Sequence, residues 1–360
     1  MHFPLDSRLR GNDKGRGLNM LTKSLSLFSG GLDSIIAVKL LQKQNIDVTG
    51  ICFYSPFYGC EKALESAKEL GIELKTIDIS AEMLAVVKNP ACGYGKNLNP
   101  CIDCHALMIR LANEIAQKEN FDFIASGEVL GQRPFSQNKE ALQRVQKLAG
   151  AEVLRPLSAK LLDETAVEKS GLVNRGLLER INGRDRHDQM ELAERFQIKK
   201  YPSPAGGCLL TDPAYGERLG LMLENWPDCD SNDVNILRHG RVFWINLAKN
   251  DKQKPEKILV IIGREEADNN NLKKLAKKGD FMVQLKELNG PVTLIRSKFG
   301  LEPLDAGEIT IDIPEKLNLG NRKLGEDKSA DEIFQISAML TGLYSVKARG
   351  KSAVFVLINM

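Results

Sequence analysis

The chain has 360 residues, of which 42% are hydrophobic and 27% charged, and its formal net charge is only +3. This composition is typical of a globular protein large enough for two domains, and the net charge alone identifies no partner. The sequence has no apolar run of transmembrane length and no signal-peptide pattern, so we expect no membrane association. Seven cysteines are an odd number for a disulfide framework and favour a reduced, cytoplasmic setting with thiols available for metal or chemistry.

The first 19 residues differ from the rest of the chain. Residues 5–17 are rich in charge and glycine, have few apolar residues and show no usable period. We expect residues 1–19 to be a disordered leader, or a start assigned upstream of Met20. The folded part of the chain is therefore expected to begin at Met20.

From Met20 to residue 165, short apolar runs alternate with helical patterns. The predicted strands are 25–28, 48–53, 74–79, 123–126 and 151–155, and the predicted helices are 33–44, 60–70 and about 102–118. This alternation predicts an α/β fold with a parallel sheet covered by helices on both faces. Ligands bind at the carboxyl ends of such strands, where the glycine turn at 30–31 and the segments 126–128 and 155–157 fall.

The pattern changes after residue 165. Residues 166–228 are helical and charged, and the Pro/Gly-rich segment 201–208 interrupts them. A polar linker follows at 227–235. From residue 241 onward short strands dominate, at 242–247, 258–262, 281–285 and 292–295, which predicts a separate, smaller α+β domain over residues 237–360.

The segment Ser29–Ser34 (Ser-Gly-Gly-Leu-Asp-Ser) joins the first predicted strand to the first predicted helix. Backbone N–H groups at such a turn attract an anion, and the glycines allow its close approach. Ser34 can cap the helix and bond a phosphate, whereas Asp33 suits a Mg²⁺ ion that accompanies the phosphate. The P-loop lysine and the Gly-x-Gly-x-x-Gly fingerprint are both missing here. The alternative is an ordinary turn with a capping serine.

This segment resembles the pyrophosphate loop, Ser-Gly-Gly-x-Asp-Ser, of the N-type ATP pyrophosphatases. The resemblance implies a PP-loop ATP pyrophosphatase domain (adenine nucleotide alpha hydrolase-like) over residues 20–165. Such domains adenylylate a substrate and release pyrophosphate, and a nucleophile then displaces AMP. The resemblance also implies phosphate-binding roles for Ser29, Gly30, Gly31, Asp33 and Ser34.

Cys101 and Cys104 lie one helical turn apart, and Cys208 follows much later on the Pro/Gly-rich segment. Such a trio can bind an iron–sulfur cluster or zinc, or carry a persulfide with a resolving thiol. Zinc usually needs a fourth ligand, for which His105 and Cys92 are candidates. Three cysteines leave one iron of a [4Fe–4S] cluster open for sulfide. The alternative is a pair of buried helix cysteines with a coincidental third.

The two cysteine motifs, Asn-Pro-Cys-x-x-Cys and Ser-Pro-Ala-Gly-Gly-Cys-Leu-Leu, resemble those of the tRNA 2-thiouridylases. Residues 126–132 (Ser-Gly-Glu-Val-Leu-Gly-Gln), Ser136-Gln137 and 154–157 (Leu-Arg-Pro-Leu) are more similar to the bacterial tRNA uracil 4-sulfurtransferases. Both families activate a tRNA uridine with ATP and replace oxygen with sulfur. The resemblance covers roughly residues 23–213. The THUMP and rhodanese regions that 4-sulfurtransferases often carry are not found in this sequence, which leaves the target position and sulfur donor open.

The resemblance implies roles for individual residues. Adenylylation makes AMP the leaving group, and sulfur then attacks, with Asp33, Cys101 and Cys208 as catalytic residues. The cluster ligands would be Cys101, Cys104 and Cys208. Gly127 and Glu128 would border the nucleotide, and the strand end at Phe53 would contact adenine. We interpret three further cysteines as structural, namely Cys52, Cys60 and Cys229.

The C-terminal region has a local excess of positive charge, because residues 239–299 contain 13 Lys or Arg and 7 Asp or Glu. The helical spacing of the lysines in this region predicts one basic face that suits a phosphate backbone. A lysine-rich helix that is simply exposed to solvent has the same pattern. The candidate RNA-binding lysines are Lys273, Lys274, Lys277 and Lys278, together with Lys199 and Lys200 just before the Cys208 segment.

Part of this region resembles the NFACT-type RNA-binding domain. The matching residues are 258–264 (Ile-Leu-Val-Ile-Ile-Gly-Arg), 268–271 (Asp-Asn-Asn-Asn), Leu275 and Asp280. The aromatic-histidine segment expected after Asp280 is altered, so the match is partial. It implies an RNA contact that would replace the missing tRNA-binding region.

We therefore predict an ATP-dependent tRNA sulfurtransferase that forms AMP and pyrophosphate, with 4-thiouridine favoured over 2-thiouridine. Its cofactors would be ATP, Mg²⁺ and a [4Fe–4S] cluster. Its partners would be tRNA and a sulfur donor, either free sulfide or a carrier protein. The alternatives are an ammonia-using PP-loop ligase or amidotransferase, and a non-catalytic RNA-binding protein that ATP switches.

Overall fold

The computed structural model describes residues 21–202, 207–248, 256–301, 307–316 and 326–360. These form two compact units, one of residues up to Gly95 with Pro100–Gly207, and another of Lys96–Asn99 with Cys208–Met360. The boundary divides the predicted extension 166–228 between the two units. The predicted leader, 1–19, and residues 203–206 of the third cysteine motif lie outside the described residues. None of the described helices is both long and apolar enough to cross a bilayer.

The first unit is built on a four-stranded parallel sheet with the order β3-β2-β1-β4. Its strands are β1 (Lys23–Leu27), β2 (Asp47–Tyr54), β3 (Leu74–Asp78) and β4 (Phe123–Ser126). Its helices are α1 (Leu32–Gln42), α2 (Glu61–Leu70), α3 (Ser80–Lys88), α4 (Cys101–Lys118), α5 (Lys139–Ala149), α6 (Ala166–Lys169) and α7 (His187–Arg195). The predicted α/β fold with a parallel sheet is confirmed.

The register of the sheet brings the carboxyl ends of three strands to one edge. Leu27, at the end of β1, pairs with Ile51 of β2 on one side and with Ser126, at the end of β4, on the other. Helix α1 leaves this edge with eight of its eleven residues buried, so it is fixed against the sheet. Segments that follow β1, β2 and β4 are therefore held close together, as the strand pattern predicts.

The predicted strand 151–155 is wrong. Only Leu154 pairs with the sheet, through one bridge to Ala125 and two backbone hydrogen bonds, to Ile124 (3.0 Å) and Ser126 (2.8 Å). The chain cannot continue as a strand because Arg155 turns inward to an ion pair and Pro156 follows.

The second unit contains a seven-stranded sheet with the order β10-β5-β6-β8-β7-β11-β9, antiparallel except for the β10–β5 pair. Its strands are β5 (Arg241–Leu247), β6 (Glu256–Ile262), β7 (Phe281–Leu285), β8 (Val292–Arg296), β9 (Glu308–Asp312), β10 (Asp327–Lys328) and β11 (Ser352–Asn359). Its helices are α8 (Pro213–Asn225), α9 (Ser231–Asn235), α10 (Glu266–Leu275) and α11 (Ala330–Leu343). Residues of α11 such as Phe334 are buried with Val260 and Phe355 in a core against the sheet, which confirms an α+β domain.

Candidate active site

The segment between β1 and α1 has the geometry of an anion-binding turn. Gly31 is the N-cap of α1 in an extended conformation, and the first helical bond runs from Ile35 N–H to the Gly31 carbonyl at 3.1 Å. The earlier N–H groups of the helix therefore have no intrahelical partner and can serve a phosphate. Ser34 does not cap the helix as predicted, because its hydroxyl donates to the Gly31 carbonyl at 2.8 Å. Ser29 Oγ lies 3.5 Å from Ser34 Oγ.

Two glycines are required by close backbone approach at this turn. Gly30 has a φ of +73°, and a Cβ atom there would collide with the carbonyl of Lys62 in α2. At Gly127, just after β4, a Cβ atom would lie 2.6 Å from Ser34 N and 2.7 Å from Ser34 Cα. Gly127 therefore allows the end of β4 to pack directly on the start of α1.

Gly30→Ala is expected to abolish ATP binding and to destabilise the first unit, because it combines left-handed strain of about 1–2 kcal/mol with displacement of backbone. Gly71→Ala is the matched control, since Gly71 has a similar φ of +68° but open space where Cβ would stand. Calorimetric ATP titration and thermal unfolding of both variants check this. Equal ATP affinity in the two variants would contradict the collision.

Asp33 is held by a glutamine that follows β4. Gln132 donates from Nε2 to Asp33 Oδ2 at 2.9 Å, which joins the two segments across the sheet edge. The other oxygen, Oδ1, is buried and has no hydrogen-bond partner among the described residues. An unpartnered carboxylate oxygen beside an anion-binding turn fits a Mg²⁺ ligand.

Glu128 belongs to a buried network of side chains, and its predicted place beside the nucleotide stays a prediction. Its Oε1 lies 2.6 Å from His105 Nδ1, and its Oε2 accepts from Arg155 Nε at 2.9 Å and from Ser126 Oγ at 3.1 Å. Burial would raise the pKa of Glu128, but the Arg155 guanidinium and the His105 hydrogen bond outweigh burial and hold this pKa far below its ordinary value. Glu128 therefore stays ionised and links the end of β4 to α4.

The predicted thiol pair lies at the start of α4. Cys101 is the first helical residue and Cys104 lies within the first turn, and both are half-buried. Tyr58 Oη, from the segment between β2 and α2, lies 3.7 Å from Cys104 Sγ. Both thiols therefore lie at the N-terminal end of this 18-residue helix. Pro100, which immediately precedes the helix, is buried.

A second cysteine-bearing segment is held against the same helix turn. Asp103 is 8% exposed and accepts hydrogen bonds from Ala91 N at 2.9 Å and from Cys92 N at 3.1 Å. Burial raises the pKa of the Cys92 thiol, and the Asp103 carboxylate raises it further.

The thiol pair of the first unit could provide two of the ligands of a metal or cluster site. Among the described residues, three potential ligand atoms converge only at His187, Asp188 and Glu191, which are all exposed, and not at the thiol pair. His105 is one of the two candidates for a fourth zinc ligand, and its Nδ1 already contacts Glu128. Cys208 belongs to the second unit, where its carbonyl accepts from Thr211 Oγ1 at 2.7 Å, so its ligand role stays a prediction.

Two further predictions concern residues in or just after β2. Phe53 is only 4% exposed, so its ring lies in the interior, and the predicted contact of this strand end with adenine stays a prediction. Cys52 and Cys60 are joined in a disulfide, and both are buried. The general expectation that the thiols are available for metal or chemistry is therefore wrong for Cys52 and Cys60. The disulfide is consistent with the structural role that we predict for these two residues. Cys229 is also buried.

The predicted basic face of the second unit is only partly formed. Helix α10 ends at Leu275, and the chain becomes extended at Ala276, so Lys277 and Lys278 do not continue the helical face of Lys273 and Lys274. Lys273, Lys274 and Lys278 are exposed. In the first unit Lys199 and Lys200 are exposed as well, and Lys200 Nζ lies 3.6 Å from Glu69.

Lys277 is part of an ion network whose centre, at Asp233, Asp280 and Arg296, is buried. Its Nζ lies 2.6 Å from Asp230 and 3.2 Å from Asp233, and Arg296 contacts Asp233 at 2.9 Å and Asp280 at 2.6 Å. Burial would raise the pKa of Asp233, but the backbone hydrogen bond at Asp230 and the nearby cations lower it to about 2. Lys277 therefore has carboxylate partners within the second unit, and its role as an RNA contact stays a prediction.

Sequence reasoning missed the residues that connect the predicted ones. Gln132 and Arg155 both lie in strings matched to a family, but no role follows from their spacing. Tyr58 lies in no motif and has no sequence signal. The sequence suggests His105 only as a metal ligand, whereas its Nδ1 contacts Glu128.

Two family models match the chain. The model described as "Thiamine biosynthesis protein (ThiI)" matches residues 20–168, and the model described as "NFACT protein RNA binding domain" matches residues 253–310. The first range contains the pyrophosphate loop, the thiol pair and the Glu128 network. The second contains α10 and most of the strands around it. The predicted PP-loop fold and the predicted NFACT-type domain are confirmed.

Similar proteins include two curated relatives, each named "Probable tRNA sulfurtransferase". That of Limosilactobacillus fermentum is 33% identical over 144 residues, or 38% of this chain and 34% of the relative. That of Anoxybacillus flavithermus is 29% identical over 154 residues, or 40% of this chain and 37% of the relative. The chain thus spans about a third of the length of these relatives.

Two solved structures are similar at low identity. A predicted subunit of tRNA methyltransferase from Methanocaldococcus jannaschii has 22% identity and a TM-score of 0.28, over 38% of this chain and 69% of that chain. A 4-thiouridine synthetase–RNA complex with bound ATP has 21% identity and a TM-score of 0.34, over 57% and 51%. Residues 20–168 of this chain are thus similar to the ThiI family, and residues 253–310 are similar to the NFACT RNA-binding domain family.

Proposed function

We propose that the chain is an ATP-dependent tRNA sulfurtransferase that converts a uridine to 4-thiouridine. The observation that carries this proposal is the Glu128 network, which fixes the first turn of α4, with its two thiols, to the strand end beside the pyrophosphate loop. An activating nucleotide and a sulfur carrier would then act at one sheet edge. The names of the curated relatives and the resemblance of residues 126–157 to 4-sulfurtransferases support the same chemistry.

The first step is adenylylation. The uracil O4 attacks the α-phosphorus of ATP, an O–P bond forms, and pyrophosphate leaves with the electrons of the broken P–O bond. Ser29, Ser34 and the N–H groups at the start of α1 would stabilise the charge on the departing pyrophosphate. A Mg²⁺ ion at Asp33 Oδ1 would supply further neutralisation of this charge.

The second step is sulfur transfer. Sulfur adds to C4 of the activated base, and AMP leaves with the bond electrons, so that one oxygen is exchanged for one sulfur. Cys101, Cys104 and Cys208 would hold a [4Fe–4S] cluster, which would supply the sulfide for transfer. With a cysteine persulfide instead, a second thiol must reduce the resulting mixed disulfide to release the thiolated base. In either case Cys101 and Cys104, in the first turn of α4, are the thiols beside the pyrophosphate loop.

The NFACT-family domain supports tRNA as the partner. Replacing Lys273, Lys274 and Lys278 together with glutamate is expected to weaken tRNA binding and to lower the salt slope of log K, by about 1 for each phosphate that the variant no longer neutralises. The matched control replaces three other exposed lysines with glutamate. These are Lys43, Lys68 and Lys118, which lie at the C-terminal ends of helices in the first unit. Fluorescence anisotropy over a salt series checks this, and equal slopes in both triple variants would remove the three lysines from the interface.

The function is tested by mass spectrometry of tRNA nucleosides from cells with and without the gene. We expect 4-thiouridine to disappear on deletion and to return with the wild-type chain. Cys101→Ala and Cys208→Ala should fail to restore it, whereas Cys229→Ala, at a buried cysteine outside the proposed site, should restore it. Unchanged 4-thiouridine on deletion would overturn the proposal, and loss of 2-thiouridine alone would move the reaction to the other carbonyl.

A further inference from the structure

The segment Gln132–Phe135, here called the Phe135 loop, follows β4 and is tied to the pyrophosphate loop. Gln132 donates to Asp33 Oδ2 at 2.9 Å. The next three residues are exposed, and Phe135 is 85% exposed. An aromatic ring in solvent therefore lies within three residues of a direct contact to the proposed catalytic carboxylate.

The backbone of the Phe135 loop is fixed on both sides of the ring. Gly131 N–H donates to the Gln137 carbonyl at 2.7 Å, and Gln137 N–H donates to the Arg133 carbonyl at 2.7 Å. Asn138 Nδ2 donates to the Pro134 carbonyl at 2.7 Å. Gln137 is itself 5% exposed, so the loop is anchored in the unit and its turn holds Phe135 outward.

Single exposed apolar side chains are common on protein surfaces and need no explanation. The Phe135 loop differs because it combines an outward aromatic ring, an adjacent exposed Arg133 and a rigid link to the reaction site. Proteins that bind unpaired RNA bases stack them on aromatic rings and contact neighbouring phosphates with cations. Such residues are typically on loops that a rigid scaffold positions.

We propose that the Phe135 loop is the platform for the target base of the RNA. Its ring stacks on an unpaired pyrimidine, and Arg133 contacts a phosphate next to that base. This inference rests on the proposed function. The adenine of ATP is the other base available, but pockets for small ligands bury most of the ligand surface. A ring that is 85% exposed provides one open face, which favours a base of a larger molecule.

The test uses the full chain with Phe135→Ala, Phe135→Trp and, as a matched control, Met190→Ala. Met190 is 54% exposed on α7 of the same unit. Phe135→Ala should lower kcat/KM for tRNA by about 5- to 100-fold, as expected when one base stack is removed, with the KM for ATP and the unfolding temperature unchanged. Phe135→Trp should restore most of the activity, and Met190→Ala should match the wild type. Equilibrium binding of unmodified tRNA without ATP should weaken in parallel.

The outcomes separate this inference from the proposed function. Wild-type sulfur transfer with an unaffected Phe135→Ala variant would overturn the platform and leave the function standing. A raised KM for ATP with an unchanged KM for tRNA would overturn it in favour of adenine. If the wild type transfers no sulfur, the proposed function fails, and the binding arm alone decides whether Phe135 contacts RNA.

Discussion

Asp33→Asn is expected to lower kcat for sulfur transfer on the order of 10²–10³-fold while leaving the fold intact. Asparagine preserves the shape of the side chain and an oxygen that can accept from Gln132 Nε2, which lies 2.9 Å from the native Oδ2. It removes the negative charge that the buried, unpartnered Oδ1 offers to a cation. The measurement is AMP release with ATP, tRNA and sulfide present.

The control for this variant is Asp47→Asn, the same change at an exposed residue where β2 begins, opposite the carboxyl edge. Asp47→Asn should retain full activity. If Asp33→Asn released AMP within about threefold of the control, Asp33 would have no part in activating ATP.

Glu128→Gln is expected to cost about 3 kcal/mol of unfolding free energy in the first unit, and activity with it. The Arg155 side chain is 2% exposed and loses its carboxylate partner, which leaves a buried cation with neutral acceptors only. His105 loses the charge that it contacts beside the thiol pair. Thermal unfolding should move down by roughly 6–12 °C.

Glu114→Gln is the matched control, since Glu114 forms an exposed i,i+4 pair with Arg110 on α4 and should cost about 0–0.5 kcal/mol. The pKa of Glu128 is depressed in the folded chain, so its contribution is complete above the ordinary value of 4.5 and is lost as the pH falls below it. The stability gap between wild type and Glu128→Gln should therefore narrow in acid. A gap that stayed constant down to about pH 2 would contradict the ionised network.

The four strands of the first sheet and the helices α1, α2 and α4 could be predicted because each has a strong local signal, whereas α3 and α5 were not predicted. β1 and α1 flank a turn with two glycines, and the predicted helix 33–44 differs from Leu32–Gln42 by two residues at most. The strand predicted at 151–155 failed because a local apolar run was overridden by the ion pair of Arg155 with Glu128, 27 residues away. A local sequence pattern does not show which side chain, distant in sequence, will form an ion pair with a given residue.

The same limit explains the site. The pyrophosphate loop and the thiol pair were predictable as motifs, but the contacts that join them depend on side chains distant in sequence. Gln132 reaches Asp33 across 99 residues. Lys277 shows the reverse error, since its helical spacing with Lys273 indicated a solvent face, whereas Asp230 and Asp233 hold it in an ion network.

The central claim is that ATP cleavage and sulfur transfer occur on the same uridine. The most direct measurement incubates the purified chain with ATP, Mg²⁺, sulfide and unmodified tRNA, and follows AMP and tRNA nucleosides by mass spectrometry. The account predicts one AMP for each uridine that exchanges oxygen for sulfur at C4, and no product without ATP. AMP formation that leaves the tRNA nucleosides unchanged, or incorporation of nitrogen in place of sulfur, would contradict it.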